Sequence, residues 1–97
     1  MPMVTTSQLR PFVSVVIPAY NEQRYIRECL DSVFAQDYPS DRVEVIVVDG
    51  HSTDGTAGVV RSEYPRVMLL ENRERIVPIS MNMGVRAARG EDIVRLD

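Results

Sequence analysis

Apolar residues occur along this chain in two patterns: short, nearly continuous runs, and longer stretches with helical spacing. The runs are too short for helices, so each predicts a strand. The run at residues 43–48 is typical of a strand covered on both faces. The runs cover residues 12–17, 43–48, 67–70 and 93–96, and the first is expected to stop at Pro18.

The intervening stretches predict three helices. The first begins after Asn21 as N-cap, presents an apolar face from Ile26 to Phe34, and breaks at residues 38–40. The second covers residues 56–64, and the third runs from Pro78 to about residue 89, where Gly90 ends it.

Alternation of strands and helices predicts an α/β protein with a Rossmann-like open parallel sheet, its strands in the order 3-2-1-4. Residues 1–11 form a lead-in, and residues 12–97 form one domain. In such sheets ligands bind beyond the carboxyl ends of the strands. Three polar segments are expected there: PAYNE at residues 18–22, DGHSTDGT at residues 49–56, and Asp97.

Composition excludes several classes of protein. The net charge of −3 argues against nucleic-acid binding, which needs a basic patch. Every basic residue is arginine, so the lysine of a P-loop is missing. A single cysteine permits no internal disulfide, and no signal or membrane-spanning pattern is present, so the chain is expected to be soluble and cytoplasmic.

The DGHSTDGT turn combines two kinds of chemistry. Asp49 directly follows a buried strand, where a carboxylate is costly without a partner, so it is a candidate acceptor for a base or ribose group. Ser52, Thr53 and Asp54 are expected to cap the helix that follows them. The turn after the first strand has no glycine, which excludes a dinucleotide-binding fingerprint.

Three blocks, VSVVIPAYNE, VEVIVVDGHSTDGT and NMGVRAARGEDIVRLD, together resemble the N-terminal half of family 2 glycosyltransferases of the GT-A fold. The resemblance covers about residues 12–97. The stretch from ERIVPISMNMG to IVRLD further resembles the bacterial succinoglycan-biosynthesis type.

This resemblance implies a nucleotide-binding role for seven residues. Asp49 matches the acid that bonds the base, usually uracil, and an arginine after the third strand lies near the diphosphate. The family's usual second acid is replaced by Gly50, followed by His51, whose role stays open. The implied nucleotide-binding residues are Pro18, Ala19, Tyr20, Glu22, Asp49, Arg73 and Arg75.

The resemblance also implies a metal site at Asp97, the first acid of the family's D-x-D-like motif. Carboxylates there hold Mg²⁺ or Mn²⁺ against the donor phosphates. The catalytic base is expected beyond residue 97, so these residues alone are expected to be inactive.

The implied activity is inverting transfer of a hexose from a nucleotide-diphosphate sugar, usually a UDP-sugar, to a saccharide or lipid-linked saccharide acceptor. The implied setting is bacterial exopolysaccharide synthesis at the cytoplasmic face of the membrane. A non-catalytic nucleotide-binding or interaction module is the alternative, and residues after Asp97 would discriminate the two. The open edge of the fourth strand predicts self-association of these residues in isolation.

Overall fold

The computed structural model describes residues 10–96 and contains one four-stranded sheet. The order along the chain is β1 (Val13–Ala19), α1 (Gln23–Phe34), β2 (Val43–Asp49), α2 (Thr56–Glu63), β3 (Met68–Glu71), α3 (Val77–Ala87) and β4 (Asp92–Arg95), with one 3₁₀ turn at Ser40–Arg42. All strand pairs are parallel, in the order β3-β2-β1-β4. This confirms the predicted open parallel α/β sheet.

The ends of the elements differ from the predictions in three informative places. Strand β1 continues through Pro18, which pairs with Val48, whereas its described pairing with β4 ends at Val16. No described β4 residue pairs with Pro18, so the backbone N–H that proline lacks is not needed for a hydrogen bond to that strand. Helix α1 begins one residue later than predicted, with Glu22 as N-cap, and α3 ends at Ala87 rather than near residue 89.

The two faces of β1 pack against different helices. Val15, Ile17 and Ala19 join the core formed with α1 and α2, while Val16 on the opposite face contacts α3. Ile26 and Leu30 of α1 are fully buried, which confirms the apolar face read from the sequence. Strand β4 is exposed along its length. Self-association through this edge stays a prediction, as does the assignment of residues 1–11 to a lead-in.

None of the helices within residues 10–96 is long and apolar enough to cross a membrane.

At the amino ends of the strands, a glutamate of β2 bonds both β1 and the segment before β4. The strand pattern in the sequence did not single out this glutamate. Glu44 of β2 is 11% exposed at its side chain and accepts hydrogen bonds from Ser14 Oγ (2.5 Å) and from the Arg89 backbone N–H (2.6 Å). Ser14 Oγ in turn accepts the N–H of Gly90 at 2.8 Å. Burial raises the pKa of Glu44, but these bonds from Ser14 and Arg89 outweigh it and leave the pKa below the ordinary value of 4.5.

We expect Glu44→Gln to reduce the free energy of unfolding by about 1.5–3 kcal/mol at neutral pH, because bonds to a charged acceptor are lost. A carboxyl whose pKa is lowered by folding stabilises the protein above its unfolded pKa, and that contribution disappears as pH falls through the folded pKa. The difference between wild type and variant should therefore be constant above about pH 5.5 and shrink below 4.5. Denaturant unfolding across this pH range measures it.

Glu28→Gln is the matched control for Glu44→Gln. Glu28 pairs with Arg24 at 3.5 Å on the exposed surface, so its loss should cost less than about 0.5 kcal/mol. An equal effect at both positions would contradict the role given to Glu44.

Candidate functional site

Three loops meet at the carboxyl ends of β1, β2 and β3. Three non-glycine residues among those described have a positive φ, and each lies in a different one of these loops: Asn21 (48°), His51 (64°) and Arg75 (63°). Such conformations are uncommon away from glycine and persist where surrounding contacts hold them. The strain within residues 10–96 thus concentrates at the edge where the sequence predicted a site.

The DGHSTDGT turn caps α1 as well as the predicted helix α2. Two backbone N–H groups at the start of α1 donate to its side chains: Glu22 to Thr56 Oγ1 (3.0 Å) and Gln23 to Asp54 Oδ2 (3.2 Å). The preceding Asn21 N–H donates to Ser52 Oγ at 2.8 Å. At the start of α2, the helix that follows the turn, Asp54 accepts the N–H of Thr56 at 2.9 Å. The N-cap residue of α2 is Gly55.

Asn21, predicted as the N-cap of α1, instead binds the same turn. Its side-chain Oδ1 accepts the Thr53 N–H at 2.7 Å, so the two loops bond each other reciprocally. Hydrogen bonds from Thr56 lower the pKa of Asp54, as expected for an acceptor whose charged form is stabilised by its donors. The carboxyl ends of β1 and β2 are therefore fixed relative to each other by side chains rather than by the sheet alone.

Asp49 lies beneath this edge and is 2% exposed. Its Oδ1 accepts the Ser52 hydroxyl at 2.5 Å and its Oδ2 accepts the Ser52 N–H at 2.9 Å. A buried carboxylate requires hydrogen-bond donors, and Ser52 of the same turn supplies them. A direct bond from Asp49 to a base stays a prediction.

The third loop is organised by a residue that sequence reasoning missed. Asn72 is 3% exposed; its N–H donates to Asp49 O (2.7 Å), and its side-chain amide donates to Ile76 O (3.1 Å) and Ser80 Oγ (3.0 Å). Its Oδ1 accepts the Glu74 N–H at 3.0 Å. The only sequence signal was its place one residue after a strand, which does not distinguish an anchoring asparagine from a solvated one.

A small cleft of about 100 Å³ opens between these loops. The Arg75 guanidinium carbon lies 5.5 Å from the centroid of the Tyr20 ring, which is 42% exposed. The cleft is lined by Pro18, Ala19, Tyr20, Glu22, Gly50, Arg75, Val77 and Ser80. It thus offers an aromatic face, a cation and a carboxyl around a largely apolar floor.

The structure brings together five of the seven residues predicted to bind nucleotide, namely Pro18, Ala19, Tyr20, Glu22 and Arg75. Asp49 is not among the residues lining the cleft, but it pairs with Ala19 in the sheet and precedes Gly50, whose N–H donates to Ala19 O at 2.7 Å. Arg73 is exposed two residues before Arg75 and is not among the residues lining the cleft.

Charge in the cleft is mixed. Burial raises the pKa of the Glu22 carboxyl, which makes its protonated form more accessible than that of an exposed glutamate. Within residues 10–96 no group of three or more histidine, cysteine, aspartate or glutamate side chains could hold a metal ion. The predicted metal ligand, Asp97, lies outside the described residues.

A larger pocket of about 360 Å³ lies near the amino ends of the strands and has a mainly apolar lining that includes Val13, Val43, Phe34 and Val94. We do not assign it to the site, because ligands of open α/β sheets bind at the opposite edge.

The fold and the cleft place this protein in the class of open α/β proteins that bind ligands at the carboxyl ends of their strands. Residues 14–97 match the family model described as glycosyl transferase family 2. The chain therefore belongs to glycosyl transferase family 2, and its sheet is the one expected for the N-terminal half of the GT-A fold.

Relatives and solved structures agree with this family. The chain is 34% identical over 85 residues to the dolichyl N-acetyl-alpha-D-glucosaminyl phosphate 3-beta-D-2,3-diacetamido-2,3-dideoxy-beta-D-glucuronosyltransferase of Methanococcus voltae, covering 82% of this chain and 26% of that protein. A mannosyltransferase from Pyrobaculum calidifontis in complex with GDP-Man and Mn²⁺ superposes with a TM-score of 0.81 at 42% identity, over 90% of this chain and 27% of that one. Staphylococcus aureus TarS 1–349 in complex with UDP-GlcNAc has a TM-score of 0.74 at 31% identity, over 88% and 26%.

The chain spans about a quarter of the length of these relatives. The match is thus to one part of each enzyme.

Proposed function

We propose that this chain is the donor-binding part of a glycosyltransferase that moves a hexose from a nucleotide-diphosphate sugar to a saccharide or lipid-linked saccharide acceptor. The proposal includes inversion at the transferred carbon and a cytoplasmic role in bacterial exopolysaccharide synthesis. It rests chiefly on one observation, the cleft in which Tyr20 and Arg75 face each other beside the PAYNE loop. The two relatives solved with GDP-Man and UDP-GlcNAc support a nucleotide-sugar donor.

The chemistry of the cleft suits a nucleoside diphosphate. An aromatic ring can stack on a base, and a guanidinium can bond phosphate oxygens in two places at once. Arg75 is the better placed of the two predicted arginines because its side chain lies over Tyr20, whereas Arg73 is outside the lining. Gly50 leaves the floor free of a side chain, and an ideal Cβ there would come within 3.6 Å of Arg75 Cα.

A divalent cation is part of this proposal. Hard cations such as Mg²⁺ and Mn²⁺ take oxygen ligands, and one carboxylate with donor phosphates makes a suitable set. Asp97 would supply that carboxylate, and the described Leu96 before it donates its N–H to Val16 O of β1 at 3.0 Å. When bound, the cation neutralises charge on the departing nucleoside diphosphate.

The test compares two substitutions in the full-length protein. Arg75→Ala should weaken binding of UDP or GDP by about 1.5–3 kcal/mol, a tenfold to hundredfold loss, because charge-assisted bonds to phosphate are removed. Arg73→Ala should change the affinity less than threefold, as expected for an exposed charge outside the cleft lining, whose field salt screens over a Debye length of about 10 Å. Calorimetric titration measures both affinities.

Equal losses at Arg73 and Arg75 would contradict the assignment of the cleft. Absence of nucleotide binding by the folded wild type would contradict the proposed function itself. Binding of nucleotide without sugar transfer would instead favour a non-catalytic nucleotide-binding module.

A further inference from the structure

Asp49, Ser52 and Asn21 form a continuous chain of hydrogen bonds from the end of β2 to the loop after β1. The Ser52 hydroxyl donates its single proton to Asp49 Oδ1 at 2.5 Å and accepts the Asn21 N–H at 2.8 Å. A backbone N–H can only donate, so Ser52 Oγ is the acceptor at Asn21 and its own hydroxyl proton points to Asp49. We call these three residues the relay.

The relay acts on strained backbone next to the cleft. Asn21 has a φ of 48°, and its N–H and side-chain oxygen are both bonded to the turn after β2. Tyr20 and Glu22, its two neighbours in the chain, line the cleft. Loss of the bond to Ser52 would release Asn21 toward commoner backbone conformations and turn the Tyr20 ring away from Arg75.

The same geometry disfavours direct recognition of a base by Asp49. Its carboxylate is 2% exposed, both oxygens are already bonded to Ser52, and Gly50 rather than Asp49 lines the cleft. A base N–H would have to reach past this backbone to find a remaining lone pair.

We propose that Asp49 is a positioning residue, which acts through Ser52 on Asn21 to hold the Tyr20 wall of the cleft, and that it does not itself bond the base. The effect on nucleotide affinity rests on the proposed function, whereas the effect on the loop does not.

The ligand-free test is amide hydrogen exchange in the full-length protein without nucleotide. Ser52→Ala should speed exchange at the Asn21 amide by about tenfold or more, because that N–H loses its acceptor. Ser52→Thr keeps a hydroxyl and should restore protection. Ser62→Ala is the matched control, since Ser62 Oγ donates to Gly58 O on the exposed side of α2 and is not part of the relay. If the exchange rate of the Asn21 amide in Ser52→Ala, corrected for any change in global stability, equals that of the wild type, the proposed role of the relay is wrong.

The nucleotide test uses the full-length protein and the nucleoside diphosphate that it binds, UDP or GDP. UDP is compared with 3-N-methyl-UDP, and GDP with 1-N-methyl-IDP; neither analogue has a base N–H for a carboxylate to accept. A positioning role predicts that Asp49→Ala weakens both members of the pair by the same factor, about tenfold. A positioning role also predicts that Asp49→Ala raises the KM for the donor and leaves kcat nearly unchanged. The double variant that combines Asp49→Ala with Ser52→Ala should show no further loss of nucleotide affinity.

A direct bond predicts different results. Asp49→Ala would then weaken binding of the unmethylated nucleotide alone, and Ser52→Ala would leave its affinity intact because the carboxylate is still present. Either result overturns the proposal. Should Asp49→Ala fail to fold, Ser52→Ala alone carries the test. If the wild type binds neither nucleotide, the proposed function fails while the exchange experiment still decides the relay.

Discussion

Replacing Gly84 with alanine is expected to lower the free energy of unfolding by about 1–3 kcal/mol, the usual cost of overpacking a core. An ideal Cβ at Gly84 would lie 2.3 Å from Val16 Cγ1, far inside contact distance. Val16 is fully buried in the central strand, and a β-branched side chain has few rotamers with which to move aside. The clash should outweigh the gain of about 1 kcal/mol that alanine normally has over glycine in a helix.

Gly58→Ala is the matched control, because it makes the same change in another helix. Gly58 is exposed in α2, and a Cβ there would meet nothing within 4 Å. We expect this variant to be stabilised by about 0.5–1 kcal/mol. Denaturant unfolding of both variants measures the difference, and Gly84→Ala combined with Val16→Ala should lose less than the two single variants together. Two variants of equal stability would contradict the close packing of α3 on β1.

The order and type of the elements could be predicted because they depend on patterns local in sequence. The nearly continuous apolar run at residues 43–48 indicates a strand buried on both faces, and Ile26 and Leu30 recur at helical spacing. The alternation of strands and helices along the chain then allowed only a few topologies for the sheet. The end of β1 was misplaced because a proline is tolerated wherever its missing N–H has no strand to pair with, which depends on the position of β4.

The capping of α1 could not be predicted by the same reasoning. N-cap rules consider residues within one helical turn, and they assigned Ser52 and Asp54 to the next helix. In the structure these side chains bond N–H groups 31 residues earlier in the chain, because parallel pairing of β1 with β2 places the two loops side by side. Recognising this from sequence would have required the register Ala19 with Asp49.

The two arginines after β3 show a second limit. Arg73 and Arg75 are equivalent by sequence pattern, and only the loop conformation separates them. Buried Asn72 turns the chain so that Arg75, at a φ of 63°, lies over Tyr20. Arginine gives no sequence signal for such a backbone conformation, since positive φ is enriched in asparagine, aspartate and glycine.

Removal of divalent cations is expected to abolish sugar transfer by the full-length protein, and Asp97→Asn to lower kcat/KM by about 10²–10³-fold. A metal ion at the departing diphosphate contributes several kcal/mol of charge stabilisation, and each 1.4 kcal/mol is a factor of about ten. Because within residues 10–96 no group of three or more metal-binding side chains is present, the ion should depend on Asp97, further ligands and the donor phosphates. Activity should return when Mg²⁺ or Mn²⁺ is added back after chelation.

Asp92→Asn is the matched control for Asp97→Asn. Asp92 is exposed at the start of β4, where it pairs with Val13, so the same loss of charge should leave kcat/KM within about twofold. A second readout separates metal binding from damage to the fold: Mn²⁺ with UDP should raise the melting temperature of wild type and Asp92→Asn, but not of Asp97→Asn. Metal-dependent stabilisation that survives in Asp97→Asn would show that other residues hold the ion, since a ligand stabilises only the folded form that binds it.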